Sequence, residues 1–258
     1  MTTDKSLGQH WLRDHEVLSS IADCADLTIE DTVLEIGPGL GSLTSVLLNR
    51  VNKVIAVEFD SELARKLPNQ FPGKNLEVVA GDILSYDLSQ LPHGYKVVAN
   101  IPYYITGKIV QALLIADNKP SIAVLLVQKE VAERLAAFPG KMSILSVSAQ
   151  SFAEIELGDV VPSKLFTPPP KVDSQVVILR MRATPQFSAV SEKSFFRIVK
   201  AGFSTKRKKL RTSLSGGLGI SRDETELILK RAKISSDLRA EALSIDDWVR
   251  LTQIVDKA

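Results

Sequence analysis

Three glycines and two carboxylates have the types and spacing of a nucleotide-binding site. The segment VLEIGPGLGSLT is an apolar run followed by Gly37, Gly39 and Gly41 and then by a helical pattern. Glycine lets a backbone turn tightly and approach a ligand closely. Glu58 and Asp82 end the next two apolar runs, where a carboxylate can accept hydrogen bonds from both hydroxyls of a ribose. These five residues predict a site for a nucleoside-containing cofactor.

The glycine loop departs from the dinucleotide fingerprint. Ser42 occupies the position where that fingerprint has its third glycine, which disfavours NAD. Together, the loop, Glu58 and Asp82 resemble the class I methyltransferases that use S-adenosylmethionine. The resemblance implies that the loop lies beside the methionine moiety, that Glu58 binds the ribose and that Asp82 binds the adenine amine.

The motif Asn100-Ile101-Pro102-Tyr103 follows the fourth apolar run and suits methylation of an exocyclic amine. The N6 lone pair of adenine is delocalised into the ring, so the nitrogen is a poor nucleophile until its N–H groups are held. The Asn100 side-chain oxygen and the Pro102 carbonyl can accept those N–H groups, and the Tyr103 ring can stack on the base. No strong general base is needed, because the amine can lose its proton after transfer. The same tetrapeptide can form a plain turn, but its place beside the cofactor residues favours catalysis.

A second aromatic residue, Phe166, precedes the proline-rich segment Thr167-Pro168-Pro169-Pro170. Prolines stiffen this segment, so Phe166 can form the opposite wall of a base sandwich. The alternative is a buried hydrophobic anchor beneath a loop.

Positioning these residues requires a parallel sheet. Apolar, β-branched runs that predict strands alternate with helical patterns, which is typical of βαβ units in an α/β protein. The predicted strands are residues 32–36, 53–58, 76–80, 96–99 and 122–127, followed by 155–161 and 174–181, which close the sheet and can be antiparallel. The predicted helices between them are residues 43–50, 61–67, 107–115 and 129–137.

Beyond residue 190 the pattern is entirely helical. The predicted helices are residues 193–202, 206–214, 222–231 and 244–256, the last opened by Ser244 as an N-cap. The strand pattern ends near residues 183–190. We therefore predict a catalytic, cofactor-binding domain over residues 1–185 and a small helical RNA-binding domain over residues 186–258.

Composition excludes several classes of protein. The 258 residues are 45% hydrophobic and 24% charged, which is ordinary for a folded chain and rules out a disordered or collagen-like one. The single cysteine, Cys24, excludes an intramolecular disulfide framework, and the three scattered histidines show no ligand spacing, so we expect no metal site. The sequence has neither a signal-peptide core nor a membrane-spanning run, and we expect a cytoplasmic monomer.

The motifs together resemble the rRNA adenine N6,N6-dimethyltransferases, and the small-subunit enzyme linked to kasugamycin sensitivity is the nearest type. The matching segments, in order, are residues 5–12, the glycine loop, Glu58, Asp82, residues 100–104, residues 128–134 and residues 166–174. Trp11 stands where phenylalanine is usual. The resemblance implies a Rossmann-like sheet, with S-adenosylmethionine bound through His10, Leu12, Gly37, Glu58, Asp82 and Asn100. It also implies that two adjacent adenines in a hairpin near the end of small-subunit rRNA are each methylated twice.

A basic segment supports the small-subunit branch. The whole chain carries a net charge of only +2, but residues 197–211 contain seven Lys and Arg residues and no acidic residue. Such a run is often a solvated helix face, whereas for a folded RNA it supplies phosphate contacts. The predicted RNA-binding residues are Lys206, Arg207, Lys208, Lys209 and Arg211, and the predicted partner is the immature small ribosomal subunit.

Three alternatives remain at this stage. One is a large-subunit rRNA methyltransferase of the macrolide-resistance type, and another is a non-catalytic RNA-binding or assembly factor with the same fold. The intact Asn100 motif with Glu58 and Asp82 argues against the second, because a binding protein has no chemical need of it. Methylation of DNA or of a small molecule is disfavoured by Ile101, where DNA adenine enzymes commonly have a second proline.

Overall fold

The computed structural model describes residues 10–257, so residues 5–9 of the first predicted motif lie outside the described residues. The chain divides into two compact units. The first contains residues up to 133 and residues 154–181, and the second contains residues 134–153 and those from 182 onward. The second unit therefore includes residues 134–153, which the predicted boundary near residue 185 places in the first domain. These residues contact the rest of the second unit: the Phe152 ring packs 5.2 Å from that of Phe187, between ring centroids, and the N–H groups of Gly140 and Met142 donate to the Glu241 carbonyl.

The first unit is built around a seven-stranded sheet. Its strands are β2 (Thr32–Ile36), β3 (Lys53–Glu58), β4 (Leu76–Ala80), β5 (Lys96–Asn100), β6 (Ile122–Gln128), β7 (Ala153–Val161) and β9 (Ser174–Met181). The spatial order is β4-β3-β2-β5-β6-β9-β7. Strands β2 to β6 pair in parallel and β9 runs antiparallel to β6. Two short strands, β1 (Trp11–Leu12) and β8 (Phe166–Thr167), pair separately.

The central strands are mostly apolar because both faces of the sheet are covered. Val33, Leu34, Val97 and Val124 are completely buried, as expected for a parallel sheet with helices on both sides. The helices of the first unit are α1 (His15–Asp23), α2 (Ser42–Leu47), α3 (Ser61–Lys66) and α4 (Thr106–Ile115). The division between the units falls within α5 (Lys129–Leu135).

The sheet order places two strands at the point where ligands bind in open α/β folds. From β2 the chain goes to β3 on one side and later to β5 on the other, so the order reverses between β2 and β5. Leu34 pairs with Val97 across these strands. Three residues further along each strand stand Gly37 and Asn100, so the glycine loop and the Asn100 motif leave the sheet side by side.

The second unit is helical in the part of it that the structure describes. Its helices are α6 (Ile144–Phe152), α7 (Glu192–Phe203), α8 (Leu210–Leu218), α9 (Arg222–Arg231) and α10 (Ile245–Val255). Serine side chains cap the first turns of α6, α7, α9 and α10. The Trp248 indole of α10 is fully buried and lies over Gly202 of α7.

The predicted fold class, a parallel α/β sheet followed by a helical C-terminal part, is confirmed. The predicted bounds of β2, β3, β4 and β9 are those of the structure, and the antiparallel last strand is present. The sequence analysis did not predict α1, α6, β1 or β8. Within residues 10–257, no helix has the length and apolar composition needed to cross a membrane. The same residues contain no cluster of three potential metal ligands.

Candidate active site

A cavity lies at the carboxyl edge of the sheet, where the glycine loop and the Asn100 motif meet. Its lining includes eight of the predicted site residues, namely His10, Leu12, Gly37, Gly39, Glu58, Asn100, Pro102 and Tyr103. Gly41, Asp82 and Phe166 are not among the lining residues. The predicted cofactor and catalytic residues thus largely share one cavity in the first unit.

The glycine loop takes a backbone conformation that favours glycine. Gly37, Gly39 and Gly41 have φ values of +66°, +56° and +81°. A Cβ atom added to Gly39 would lie 2.2 Å from Cζ3 of Trp11, so the indole ring rests directly on the loop. The Trp11 ring therefore covers one side of the loop.

Glu58 ties the loop to the next strand. The Gly39 N–H donates to one oxygen of its carboxylate at 2.9 Å, and the Asp60 N–H donates to the other at 2.9 Å. Burial raises the pKa of Glu58, while these two N–H groups oppose the rise. Each carboxylate oxygen has a second lone pair, so Glu58 can also accept a ribose hydroxyl.

Glu35 is a cavity-lining acid whose role the sequence analysis missed. It lies inside the motif that ends in the glycine loop, only 1% of its surface is exposed, and Thr44 donates its hydroxyl to the carboxyl group at 2.6 Å. Burial, reinforced by the charge of Glu58, raises the pKa of Glu35 from 4.5 to about 8. A glutamate in an apolar strand was the available signal, because a buried carboxyl group needs a partner or a proton.

The raised pKa of Glu35 predicts a pH-dependent stability. The folded state holds a proton on Glu35 that the unfolded state has lost above about pH 4.5, so stability declines as the pH rises from 4.5 through 8. From this group alone, the free energy of unfolding should fall by about 1 kcal/mol between pH 7 and pH 8. Glu35→Gln should remove that component in urea titrations at the two pH values. An equal fall in both proteins would contradict the assignment.

Asn100 ends β5 with a free side-chain amide. No hydrogen bond to it is found among residues 10–257, although it lines the cavity. The Pro102 carbonyl, the predicted second acceptor, is already engaged by the Ile105 N–H at 3.3 Å and the Thr106 hydroxyl at 3.4 Å. The neighbouring Ile101 carbonyl accepts no hydrogen bond from any described residue. Ile101 is therefore the more available backbone acceptor in this structure.

Tyr103 is held in place at both ends of its side chain. Its hydroxyl lies 2.7 Å from Oγ of Ser174, the first residue of β9, and its ring stacks on His10 with centroids 5.8 Å apart. Burial raises the pKa of its hydroxyl, so it stays neutral. The Ser174 contact, which the sequence analysis did not identify, fixes the ring at the cavity wall.

Phe166 occupies a different environment from the one predicted. It pairs with Leu12 between β8 and β1, is only 3% exposed, and belongs to the apolar core of the first unit. Its ring faces are covered by core side chains, so this structure supports the buried-anchor alternative, and the stacking role stays a prediction. The adjacent proline segment forms a hydrogen bond with His10, whose Nδ1 lies 2.7 Å from the Pro168 carbonyl oxygen.

Two further predicted cofactor residues lie outside the cavity lining. Asp82 is exposed after β4, and its carboxylate accepts the Leu84 N–H at 2.9 Å. A Cβ atom on Gly41 would meet Leu67 and Phe71, at 2.7 Å and 3.0 Å. Gly41 is thus required by the packing of the loop against α3 and the turn that follows it.

The basic segment corrects one structural prediction. Residues 206–214 were expected to form a helix, but α7 ends at Phe203 and α8 begins at Leu210. The connecting residues 204–209, which we call the basic loop, are exposed. Ser204 and Thr205 form hydrogen bonds to Ser213. Side-chain hydroxyl groups that bond in this way stabilise a non-helical backbone, which explains why the helix predicted from residue 206 does not begin there.

The five predicted RNA-binding residues form two groups. Lys209 pairs with Asp237 at 2.8 Å, and Arg211 pairs with Glu226 at 3.1 Å. Lys209 lowers the pKa of Asp237. Lys206, Arg207 and Lys208 have no acidic partner among the residues that the structure describes. Of the five predicted RNA-binding residues, these three are therefore the ones whose charge can bind an RNA phosphate without first breaking an ion pair.

The order of the sheet, the glycine loop and the position of Asn100 define a class I methyltransferase fold with a cofactor site at its carboxyl edge. A model of the ribosomal RNA adenine dimethylase family matches residues 1–257. The chain therefore belongs to the ribosomal RNA adenine dimethylase family and is a methyltransferase, as the resemblance implied.

Curated relatives and solved structures agree with this assignment. The ribosomal RNA small subunit methyltransferase A of Dehalococcoides mccartyi strain CBDB1 is 43% identical over 96% of this chain and 86% of that protein. The protein of the same name from Desulfitobacterium hafniense strain Y51 is 43% identical over 98% and 92%. A dimethyladenosine transferase from Plasmodium falciparum superposes with a TM-score of 0.82 at 27% identity, covering 96% and 98% of the chains. The 23S rRNA methyltransferase ErmE gives 0.76 at 31% identity, covering 95% and 99%.

Proposed function

We propose that the protein transfers methyl groups from S-adenosylmethionine to the N6 amines of two adjacent adenines in a hairpin near the 3′ end of small-subunit rRNA. The products are N6,N6-dimethyladenines, formed during assembly of the small subunit in the cytoplasm, and the protein acts as a monomer. The observation that carries the proposal is the side-chain amide of Asn100, which has no hydrogen-bond partner among residues 10–257 and lines a cavity together with Glu58 and the glycine loop.

The residues present fit S-adenosylmethionine. Gly37, Gly39, Glu58 and Asn100 line the same cavity, so a nucleoside and its reacting group can be held there together. His10, Leu12 and Asp82 are proposed as further contacts. The bound cofactor supplies an electrophilic methyl group on a sulfonium centre.

The Asn100 motif would activate the adenine amine by orienting it. The Asn100 side-chain oxygen and a backbone carbonyl of the motif accept the two N–H groups, which directs the nitrogen lone pair toward the methyl donor. Tyr103, fixed by Ser174 and His10, presents its ring to the base. The nitrogen gives up its proton after transfer, so the motif needs no residue with a matched pKa.

The names of the relatives favour the small subunit as substrate. Relatives with that name are 39–43% identical over at least 96% of this chain. The large-subunit alternative has one observation in its favour, the similarity to ErmE at 31% identity over 95% of the chain. The small-subunit relatives are the more similar sequences, so we rank this substrate first.

The decisive experiment is incubation of the protein with labelled S-adenosylmethionine and unmethylated small or large ribosomal subunits, followed by mapping of the product by mass spectrometry. The expected product is dimethyladenine at two adjacent positions of the small-subunit rRNA. Label only in large-subunit rRNA would transfer the assignment to the resistance-type enzymes. Binding without incorporation of label would identify an assembly factor.

The basic loop predicts a salt-sensitive association with the small subunit. Each phosphate contact contributes roughly 0.7–0.9 to the slope of log affinity against log salt. Replacing Lys206, Arg207 and Lys208 together by Gln should therefore lower the slope by about 2 and weaken binding at every salt concentration tested. Lys209→Gln is the matched control, because this charge is already paired with Asp237. A triple variant with the slope of the wild type would exclude the loop as an RNA contact.

A further inference from the structure

A rigid turn in the second unit exposes an aromatic side chain that the proposed function has not used. Phe138 is 64% exposed, and the Lys141 ammonium lies 5.7 Å from the centre of its ring. A large apolar ring kept in water beside a cation has the composition of a surface on which nucleic acid bases stack.

The turn, residues 138–141, is ordered by its own sequence and by two neighbouring segments. The Lys141 N–H donates to the Phe138 carbonyl at 3.0 Å, and Pro139 and Gly140, with φ of +105°, occupy the central positions that a type II turn favours. The N–H groups of Gly140 and Met142 both donate to the Glu241 carbonyl. Because the turn is held in this way, binding through Phe138 would cost little conformational entropy.

The same hydrogen-bonded structure connects the turn to the basic loop. Residues 235–241 bond to the turn through the Glu241 carbonyl and to the start of α8 through the carbonyls of Leu238 and Ser236. Leu210, whose N–H donates to the Leu238 carbonyl, directly follows the basic loop. Lys141 is exposed in the turn, and Arg239, which pairs with Glu241 at 3.8 Å, is exposed in the connecting segment. Phe138 and the basic loop thus belong to segments of the second unit that are connected by backbone hydrogen bonds.

We propose that Phe138 is a stacking platform for an unpaired nucleotide of the rRNA substrate, with Lys141 contacting the adjoining phosphate. The inference rests on the proposed function, since it requires an RNA substrate. RNA is favoured over a protein partner because the Lys141 ammonium lies over the ring, and because the turn is connected by hydrogen bonds to the start of α8, directly after the basic loop. Sequence-specific recognition of RNA commonly uses aromatic rings on unpaired bases.

The test compares substitutions at position 138 in the full-length protein. Phe138→Ala should weaken binding to unmethylated small subunits by about tenfold, and Phe138→Leu should be nearly as weak, because stacking requires a ring. Phe138→Trp should bind at least as tightly as the wild type, and its added fluorescence should be quenched on binding. Leu227→Ala, at another exposed apolar position of the same unit, is the control and should bind normally.

The outcomes separate this inference from the proposed function. Normal binding by Phe138→Ala, while the wild type methylates small-subunit rRNA, would overturn the stacking role alone. Wild-type affinity of Phe138→Leu with loss in Phe138→Ala would indicate a generic apolar contact and would also overturn it. A photoreactive phenylalanine analogue at position 138 should crosslink to rRNA, and crosslinks to ribosomal protein only would assign the turn to a protein partner.

Discussion

Asn100→Ala should lower the rate of methyl transfer at least 100-fold while the protein stays folded. The Asn100 amide has no partner among residues 10–257, so its removal breaks no side-chain hydrogen bond to the described part of the chain. What is lost is an acceptor prearranged for the N–H groups of the target amine. Removing one preorganised polar group from an active site typically costs roughly 100- to 1,000-fold in turnover. Affinity for S-adenosylmethionine should change far less, because Glu58 and the glycine loop remain.

Single-turnover methylation of small subunits, with cofactor binding measured by calorimetry, distinguishes these effects. Asn100→Asp keeps an acceptor oxygen but replaces the amide NH2 by a second oxygen and adds a charge, so its rate should lie between those of Asn100→Ala and the wild type. A rate for Asn100→Ala within tenfold of the wild type would contradict the orienting role. A large loss of cofactor affinity with an unchanged maximal rate would make Asn100 a cofactor ligand only.

Local sequence patterns predicted the sheet and most of the cavity because those features depend on neighbouring residues. The strand from Thr32 to Ile36 is mostly apolar because it is buried on both faces, and the glycines that follow it have the positive φ that their type permits. Glu58 and Asn100 end their strands, so the parallel sheet brings them to one edge without further information. The α/β prediction needed no long-range contact.

The missed features depend on partners that are distant in sequence. Phe166 is buried by its pairing with Leu12, which no local pattern near either residue indicates. The basic loop has residues with good helix propensity, but hydrogen bonds to Ser213 hold it in another conformation. Residues 134–153 belong to the second unit, where the Phe152 ring packs in an aromatic cluster with residues that lie more than thirty positions further along the chain.

Gly217→Ala should destabilise the second unit by about 3 kcal/mol, the upper end of the usual cost of overpacking a well-packed core. A Cβ atom at this position would lie 2.6 Å from Cα and 2.8 Å from the carbonyl oxygen of Ala201, so two helix backbones would have to separate. Gly216→Ala is a matched control one residue away, because its added methyl group meets nothing within 4 Å. Alanine is the better helix former by roughly 0.5–1 kcal/mol, so the control should be neutral or more stable.

Amide hydrogen exchange measures the stability of each unit separately. A separate measurement is needed because a protein of two units need not unfold in one step. Protection should fall in α7 and α8 of Gly217→Ala and stay unchanged in the sheet. Adding Ala201→Gly should restore only part of the loss, since it removes the Cβ contact at 2.7 Å but leaves both backbone contacts. Because the basic loop joins α7 to α8, the variant should also lose affinity for small subunits while retaining cofactor binding. Equal protection in the two glycine variants would show that these helices do not pack as closely as the structure places them.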